Sequence, residues 1–453
     1  MEKLTLKEIA RVLGCEVSAD AEITDISTDT RNITPGSLFI AIEGERFDAH
    51  DFVGQAAQKG ASAVVVHKDV KCSAPVLRVE DTVEAYLDIA GYYRDRYDIP
   101  LIGLTGSVGK TTTKDMVALA MSAGYKTLKT QANFNNHIGM PKTLLELDSS
   151  YSAAVIEMGM NHFGEISALS RRCKPTMGII TNIGVSHIEN LGSREGILRA
   201  KLELLEGLKP DAPLILNGDN DLLSKVKLED RRVYFFGIEN KEADFLATDI
   251  SGDSVSTSFT VSFKEGRQKI TLPTVGNHNV LNALAAFAAA YLNGVSPESI
   301  AEALSGYVPS GMRQKVVDCG NFKVIEDCYN ASPDSMRASL STLANIPGGK
   351  KVAVLGDMLE LGKFSEQLHR EVGEFAAKCG IDELLCFGKE AAYIALAARE
   401  ASVKEVRSFS DREEFINEVC GRARDSAVLL FKASHGMHFE EIISELYERN
   451  GIK

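Results

Sequence analysis

Short β-like runs, SLFIAIEG, ASAVVVH and APVLRVE, alternate with two helical patterns over the first 98 residues, which end in the charged stretch GYYRDRYDIP. That stretch reads as a boundary, and residues 1–98 as a small mixed α/β domain. From Ile99 the texture changes. Apolar runs of strand length, PLIGLTG, YSAAVIEMG, TMGIITNIG and APLILNGD, alternate with helical periods such as TTTKDMVALAMSAG. Alternation of this kind predicts a parallel sheet with crossover helices. Residues 244 to 275 interrupt it with the T/S/V-rich run SVSTSFTVSF and a turn at Lys264-Glu265-Gly266, which predicts an antiparallel appendage. The helix NVLNALAAFAAAYLNG then closes a central domain, residues 99–310. After Pro309-Ser310-Gly311 the alternation restarts with FKVIEDCYN, KKVAVLGDM, ELLCFG and AVLLFKASHG, a doubly wound, Rossmann-like pattern over residues 311–453.

Composition supports three packed domains. The chain has 453 residues, 44% apolar and 25% charged, which excludes a disulfide miniprotein and leaves little room for long disordered tracts. Fifty Lys plus Arg against 63 Asp plus Glu give a net charge of −13, which disfavours nonspecific binding to nucleic acid or anionic membrane. The 8 cysteines form no C-x-x-C pair, so reduced thiols in a soluble, cytoplasmic protein are expected. The N-terminus MEKLTLKEIARVLG predicts an amphipathic helix and no signal peptide. The Ala-rich run Ala283 to Leu292 is about half the length of a membrane span.

The strand PLIGLTG runs directly into Gly106-Ser107-Val108-Gly109-Lys110-Thr111-Thr112 and a helix. Glycines let backbone N–H groups curl round phosphate oxygens, and the helix N-terminus favours the anion. Lys110 then suits the outer phosphates, and the Thr111 hydroxyl a Mg²⁺ ion. The full G-x-x-x-x-G-K-[ST] pattern wants Gly at 104, where this chain has Leu104, so the loop is a variant.

Ligands of an open parallel sheet gather beyond the C-terminal strand ends. Glu157 ends AAVIEMG and His187 follows TMGIITNIG, and both suit a nucleotide-bound metal. Lys201 lies on the apolar face of REGILRAKLELLEGL, four residues after Ile197. Two readings stay open for it: a snorkelling ammonium, or a neutral amine carrying CO₂ as a carbamate that binds a second Mg²⁺. Asn135 and Asn136 sit in an amide-dense run that suits a peptide-like substrate or a turn. Asn279 and Asn282 read as caps or as readers of an adenine edge.

Taken together, TGSVGKTTTK, NFNNHIG, IEMGMNHFGEI, the segment ending RAKLE, GNHNVLNALAA, the GMR at 311 to 313, EDCYNASPDSM and LGDMLELG resemble the Mur ligase family of ATP-dependent peptidoglycan precursor synthetases. STDTRNITPGSLFIAIEGERFDAHDF, YNASPDSM and GDMLELG are most similar to the branch that joins D-alanyl-D-alanine to UDP-N-acetylmuramoyl-tripeptide. The resemblance implies a first domain that holds the UDP end, with Thr30, Arg31, Arg46, Phe47, Asp48 and His50 in the matching loops. It implies ATP and two Mg²⁺ ions, with Thr111, Glu157, His187 and a carbamylated Lys201 as metal ligands. Lys110, His187 and Lys201 would be catalytic, and Asn135 and Asn136 would orient the peptide. The adenosine would meet His278 and Asn282 from the central domain and Arg313, Asp327 and Tyr329 from the third. A monomer acting on these two substrates, with no nucleic acid or membrane partner, is expected.

Two alternatives share the pattern: a ligase that adds a single amino acid, of the third-residue or folylpolyglutamate type, and a nucleotide-binding scaffold without chemistry. One departure stands out. Related chains commonly show Lys-Gly-Ser-Arg near the end, where this one has Lys432-Ala433-Ser434-His435, a titratable imidazole in place of a permanent charge.

Overall fold

The computed structural model describes residues 1–453 apart from residues 46, 254, 425 and 453, so Arg46 lies outside the described residues. Packing groups the chain into two compact units. One comprises Met1–Thr105, Gly124–Gly178 and Glu203–Pro213, and the other Gly106–Ala123, Ile179–Leu202 and Leu214–Lys453.

The first unit opens with the helix Leu6–Val12, whose Thr5 hydroxyl and Glu8 carboxylate satisfy each other's backbone N–H groups. Asp25–Ser27, Ser37–Ile40, Ala63–Val66 and Val76–Arg78 then pair in sequence order as a parallel sheet. The three runs read as β-like supply the last three of these strands. Phe39, Val64 and Val66 are buried against Ala49 and Val53, which gives this small sheet one apolar face to close on. Farther along, Ala153–Glu157 lies between Leu101–Thr105 and Thr127–Lys129, parallel to both.

The helix Thr82–Arg94, capped by Asp81, joins the two parts of this unit. Its Arg94 is 7% exposed and donates to the carbonyls of Cys173 at 2.8 Å, Tyr97 at 2.6 Å and Lys174 at 3.3 Å. Tyr93 donates its hydroxyl to the Leu147 carbonyl, and Arg172 pairs with Glu84 and Asp88. Arg94→Met removes the three donations and strands buried carbonyls, so it is expected to cost about 3 kcal/mol. Urea denaturation of the full chain checks this, and a loss below about 1 kcal/mol would show that water replaces the guanidinium.

The second unit has two sheets' worth of strands. Leu214–Asn217, Val233–Gly237 and Phe245–Gly252 run parallel, and Thr257–Phe263 with Gly266–Leu272 adds the expected antiparallel hairpin through Lys264-Glu265. The Ala-rich helix Asn277–Leu292 is buried along most of its length, and its small side chains let it lie closely against the helix Lys110–Met121. The run that reads as half a membrane span is therefore a core helix. Among the described residues no helix is long and apolar enough to cross a membrane.

The remaining sheet has the order Lys315–Asp318, Lys323–Glu326, Val428–Lys432, Lys351–Gly356, Glu383–Phe387, Glu405–Phe409. All its pairs are parallel except the first. Its four inner strands are the expected ones, whereas the two edge strands carry no apolar run. KVVD is largely exposed and EVRSF is charged on alternate positions, as edge strands often are. All 8 cysteines are unpaired thiols.

Candidate active site

The phosphate loop follows directly from Leu101–Thr105. A Cβ on Gly106 would collide with Thr181 Oγ1, and Gly109 starts the helix at φ +79 with Asn282 Oδ1 only 2.9 Å from where a Cβ would stand. Neither position tolerates a side chain. The loop is braced from below by Asn182, whose Oδ1 accepts from the N–H groups of Ser107 at 3.0 Å and Val108 at 2.9 Å. Ser107 Oγ in turn accepts from Gly184 N–H at 2.9 Å. Lys110 Nζ donates back to the Gly106 carbonyl at 2.9 Å, which holds the ammonium at the loop's mouth. Thr111 is buried, on the first turn of the helix.

Lys201, in the helix Arg194–Leu202, is 2% exposed. Burial, and after it the charge of Lys110, pushes its amine well below the ordinary lysine range. The snorkelling alternative is thereby excluded, because the stem ends inside the protein. His187 starts the short helix Ile188–Leu191 in a left-handed conformation, φ +61. Its Nδ1 stands 2.7 Å from Glu360 Oε2, but off the ring N–H axis, so the contact is close without a completed hydrogen bond. His187 and, after it, burial and Lys110 act on Glu360, with the net effect of lowering its carboxyl pKa.

Glu157 ends its strand in register with Leu104, two residues before the glycine turn begins. It is 1% exposed, and its Oε1 accepts from Asn135 Nδ2 at 2.7 Å. Its Oε2 is buried with no hydrogen-bond partner, a lone pair that suits a cation. Among the described residues no three His, Cys, Asp or Glu side chains stand together as a metal cage. A Mg²⁺ ion commonly takes several of its ligands from phosphate and water, so a single carboxylate such as Glu157 is chemically compatible with one. Asn136 has a local task, because its Oδ1 accepts from Ile138 and Gly139 N–H and steadies the turn that enters the following helix.

Asn282 Oδ1 accepts from Thr113 Oγ1 at 3.0 Å, and its amide donates to Asn279 Oδ1 at 3.3 Å. Asn279 is 5% exposed and holds Thr274 and Val275, so it braces the turn. His278 Nε2 lies 2.6 Å from Gln314 Oε1. The Arg313 guanidinium lies 3.8 Å above the Tyr329 ring, and His435 stacks on that ring at 5.9 Å, a flat cationic platform. Asp327 is buried in an ion pair with Lys432 at 2.8 Å and a hydrogen bond from Ser339.

In the first unit, Asp29 Oδ1 accepts from Arg31 N–H, and its carboxylate pairs with the Arg31 guanidinium, which lowers its pKa to about 2. The Thr30 carbonyl accepts from Lys59. Phe47 is 59% exposed and stacks on Phe52 at 4.8 Å. Asp48 binds Lys68 and His50, both at 2.6 Å. His50 is 6% exposed, and its Nε2 accepts from His67 N–H at 3.2 Å, so both ring nitrogens are spent inside the domain.

Burial holds the imidazoles of His278 and His369 below the ordinary histidine value. The unfolded chain takes up protons below about pH 6.5 that the folded one resists, so stability is full above that value and falls as pH drops through it. The urea midpoint at pH 5.5 is expected to lie below that at 7.5, with a shallower slope in His369→Gln. Equal midpoints would contradict it.

Asn182, beneath the loop, is a residue that the sequence did not single out; Lys432 on Asp327 and Glu360 on His187 come from segments noted in the sequence, but without these roles. Glu360 lies four residues beyond the strand end Gly356, where the same strand-end rule that marks Glu157 and His187 applies.

This site and fold define a P-loop nucleotide-binding α/β protein with a second, doubly wound sheet. Family profiles described as "Mur ligase family, catalytic domain", "Mur ligase middle domain" and "Mur ligase, glutamate ligase domain" match residues 22–93, 104–290 and 312–435. The chain is 41% identical over 459 residues to the UDP-N-acetylmuramoyl-tripeptide--D-alanyl-D-alanine ligase of Bacillus subtilis (strain 168), covering 99% of each. It is 37% identical to the protein of the same name from Escherichia coli (strain K12), again over 99% of each. The crystal structure of MurF from Acinetobacter baumannii superposes with a TM-score of 0.92 at 33% identity over 99% of both chains. That of MurF ligase from Thermotoga maritima in complex with ADP gives 0.85 at 27% identity, over 94% of this chain and 98% of the other. The chain belongs to the Mur ligase family.

Proposed function

We propose that this protein is an ATP-dependent amide ligase that joins D-alanyl-D-alanine to UDP-N-acetylmuramoyl-tripeptide in peptidoglycan precursor synthesis. The observation that carries the reading is the correspondence, over 99% of both chains, with relatives named for that reaction. The site supports it: a buried lysine, its amine pushed well below the ordinary range and within reach of the phosphate-loop Lys110, is more than a binding scaffold needs.

A carboxylate is a poor acylating agent, so the tripeptide's terminal carboxylate oxygen attacks the γ-phosphorus of ATP, and the bond to ADP breaks. The dipeptide amine, having lost its ammonium proton, then attacks the carbonyl carbon of the acyl phosphate and expels inorganic phosphate. Lys110 neutralises charge on the transferring phosphoryl group, and the N–H groups of the loop and helix start hold the nucleotide. Thr111, Glu157, His187 and Lys201, the last as a carbamate, are the residues that would hold Mg²⁺, which supplies further charge neutralisation there. The Arg313 and Tyr329 platform and Asn282 suit the adenosine. Asn135 serves the peptide end by fixing Glu157. Residues 1–98 serve the UDP end through the exposed Phe47 and Arg31, residues 99–310 the ATP, and residues 311–453 the amine. The cytoplasm, where both substrates and ATP occur together, is the expected compartment.

The reading is tested by product analysis with alternative amine donors. D-Alanyl-D-alanine is expected to outcompete any single amino acid by at least about a hundredfold in kcat/KM, because a site built for a dipeptide leaves polar groups unpaired with a shorter one. Preferential use of glutamate or a diamino acid would move the assignment to a single-residue ligase.

A further inference from the structure

The motif GDMLELG, residues 356–362, has no part in the chemistry above, yet its loop is fixed from several sides. Asp357 Oδ1 accepts from Ala391 N–H at 2.7 Å, and Met358 N–H donates to Nε2 of the buried His369 at 3.0 Å. Leu359 N–H donates to Ser434 Oγ at 2.9 Å, and Ser434 N–H donates to the Asp357 carbonyl at 3.1 Å. Glu360 follows at φ +62, a left-handed conformation that a glutamate keeps only where its surroundings over-determine it. Two residues on, Gly362 passes so near the helix Ile188–Leu191 that a Cβ would stand 2.8 Å from Glu189 Cγ.

The strained Glu360 meets a second strained residue side chain to side chain. Its Oε2 stands 2.7 Å from Nδ1 of His187, whose own φ is +61. An imidazole that offers one ring nitrogen as a ligand needs a proton on the other, and a carboxylate charge 2.7 Å from Nδ1 favours the proton there even though the N–H axis points past it. We infer that Glu360 is a positioning residue: the GDMLELG loop delivers its carboxylate to Nδ1 of His187, so that Nε2 is presented as the ligand atom. The phosphate-site histidine is thereby made competent by a loop of the C-terminal sheet. This rests on the reading of His187 as a ligand in the nucleotide site.

The test is made on the full chain labelled with ¹⁵N histidine, at pH 8 without nucleotide or metal, where imidazole nitrogens report their tautomer directly. His187 is expected to be predominantly the Nδ1–H tautomer in the wild type and to shift toward Nε2–H in Glu360→Ala, with Glu360→Gln intermediate because its amide oxygen keeps a partial negative charge beside Nδ1. His369, held by Met358 N–H, is the control and is expected not to change in any variant that folds. In turnover assays Glu360→Ala is expected to raise the half-saturating Mg²⁺ concentration by about tenfold or more, with the KM of each substrate within about twofold. An unchanged His187 tautomer in Glu360→Ala would overturn the inference. So would a selective rise in KM for the dipeptide, which would make Glu360 a substrate contact. Absence of ligase turnover in the wild type would instead remove the functional reading, while the tautomer result would still decide whether Glu360 sets His187.

Discussion

Lys201→Met is expected to lose ligase turnover by about a thousandfold while making the ligand-free protein more stable. Both effects come from one burial. The side chain is 2% exposed, and desolvation, with Lys110 adding to it, favours the neutral amine. Between the depressed folded value and the ordinary lysine value, the unfolded chain binds a proton there that the folded chain gives up. Stability therefore rises with pH between the depressed folded value and the ordinary lysine value of about 10.4. Methionine has a similar length and no charge to desolvate, so the penalty disappears, and the melting temperature is expected to rise by about 3 °C or more. The same neutral amine is the form that reacts with CO₂, and its carbamate would be an anion beside Lys110. Turnover of the wild type is accordingly expected to increase with added bicarbonate, and Lys201→Glu, which carries a permanent carboxylate, to retain more activity than Lys201→Met. A fully active Lys201→Met would refute the carbamate role, and a destabilised one would show that the stem's packing outweighs the desolvation. Calorimetry and steady-state kinetics on the same samples measure both.

The second large effect is expected at Lys110. Its ammonium is held at the loop's mouth by the Gly106 carbonyl at 2.9 Å, close enough to Lys201 and Glu360 for its charge to act on both. Lys110→Met removes the loop's own cation for the transferring phosphoryl group, and kcat is expected to fall by about a thousandfold or more. Affinity for the UDP-linked peptide, measured without ATP, is expected to stay within about twofold, because its UDP end is assigned to residues 1–98. Removing the Lys110 charge also removes one of the two causes that lower the Lys201 amine, so the two substitutions are coupled. The double variant is expected to lose much less than the product of the single losses. Multiplicative losses would mean that the two lysines act independently.

Much of this arrangement is legible in the residue order, because strand ends and glycine turns are local signals. The phosphate loop, Glu157 and His187 all follow apolar runs directly, and the antiparallel hairpin shows its alternation and its turn. Other features depend on partners far away in sequence. Lys432 is buried only because Asp327, 105 residues earlier, meets it. Whether Lys201 snorkels is decided by what covers the helix, which no periodicity reveals. Asn136 and Asn279 match amide-rich segments equally well as ligands or as braces, and their hydrogen bonds to local backbone place both on the bracing side. The edge strands Lys315–Asp318 and Glu405–Phe409 lack an apolar run because their exposure leaves little to bury. GDMLELG shows the limit most clearly: the motif is visible, but the left-handed turn that carries Glu360 to His187 is not.

The most direct test of the account is a stoichiometric one. Purified protein is incubated with ATP, Mg²⁺, UDP-N-acetylmuramoyl-tripeptide and D-alanyl-D-alanine, and ADP and the UDP-linked product are quantified together by mass spectrometry. One ADP per UDP-linked pentapeptide, with little ADP when either the tripeptide or the dipeptide is omitted, is the predicted result. ADP release that is indifferent to both peptides, or none with the complete mixture, would contradict it.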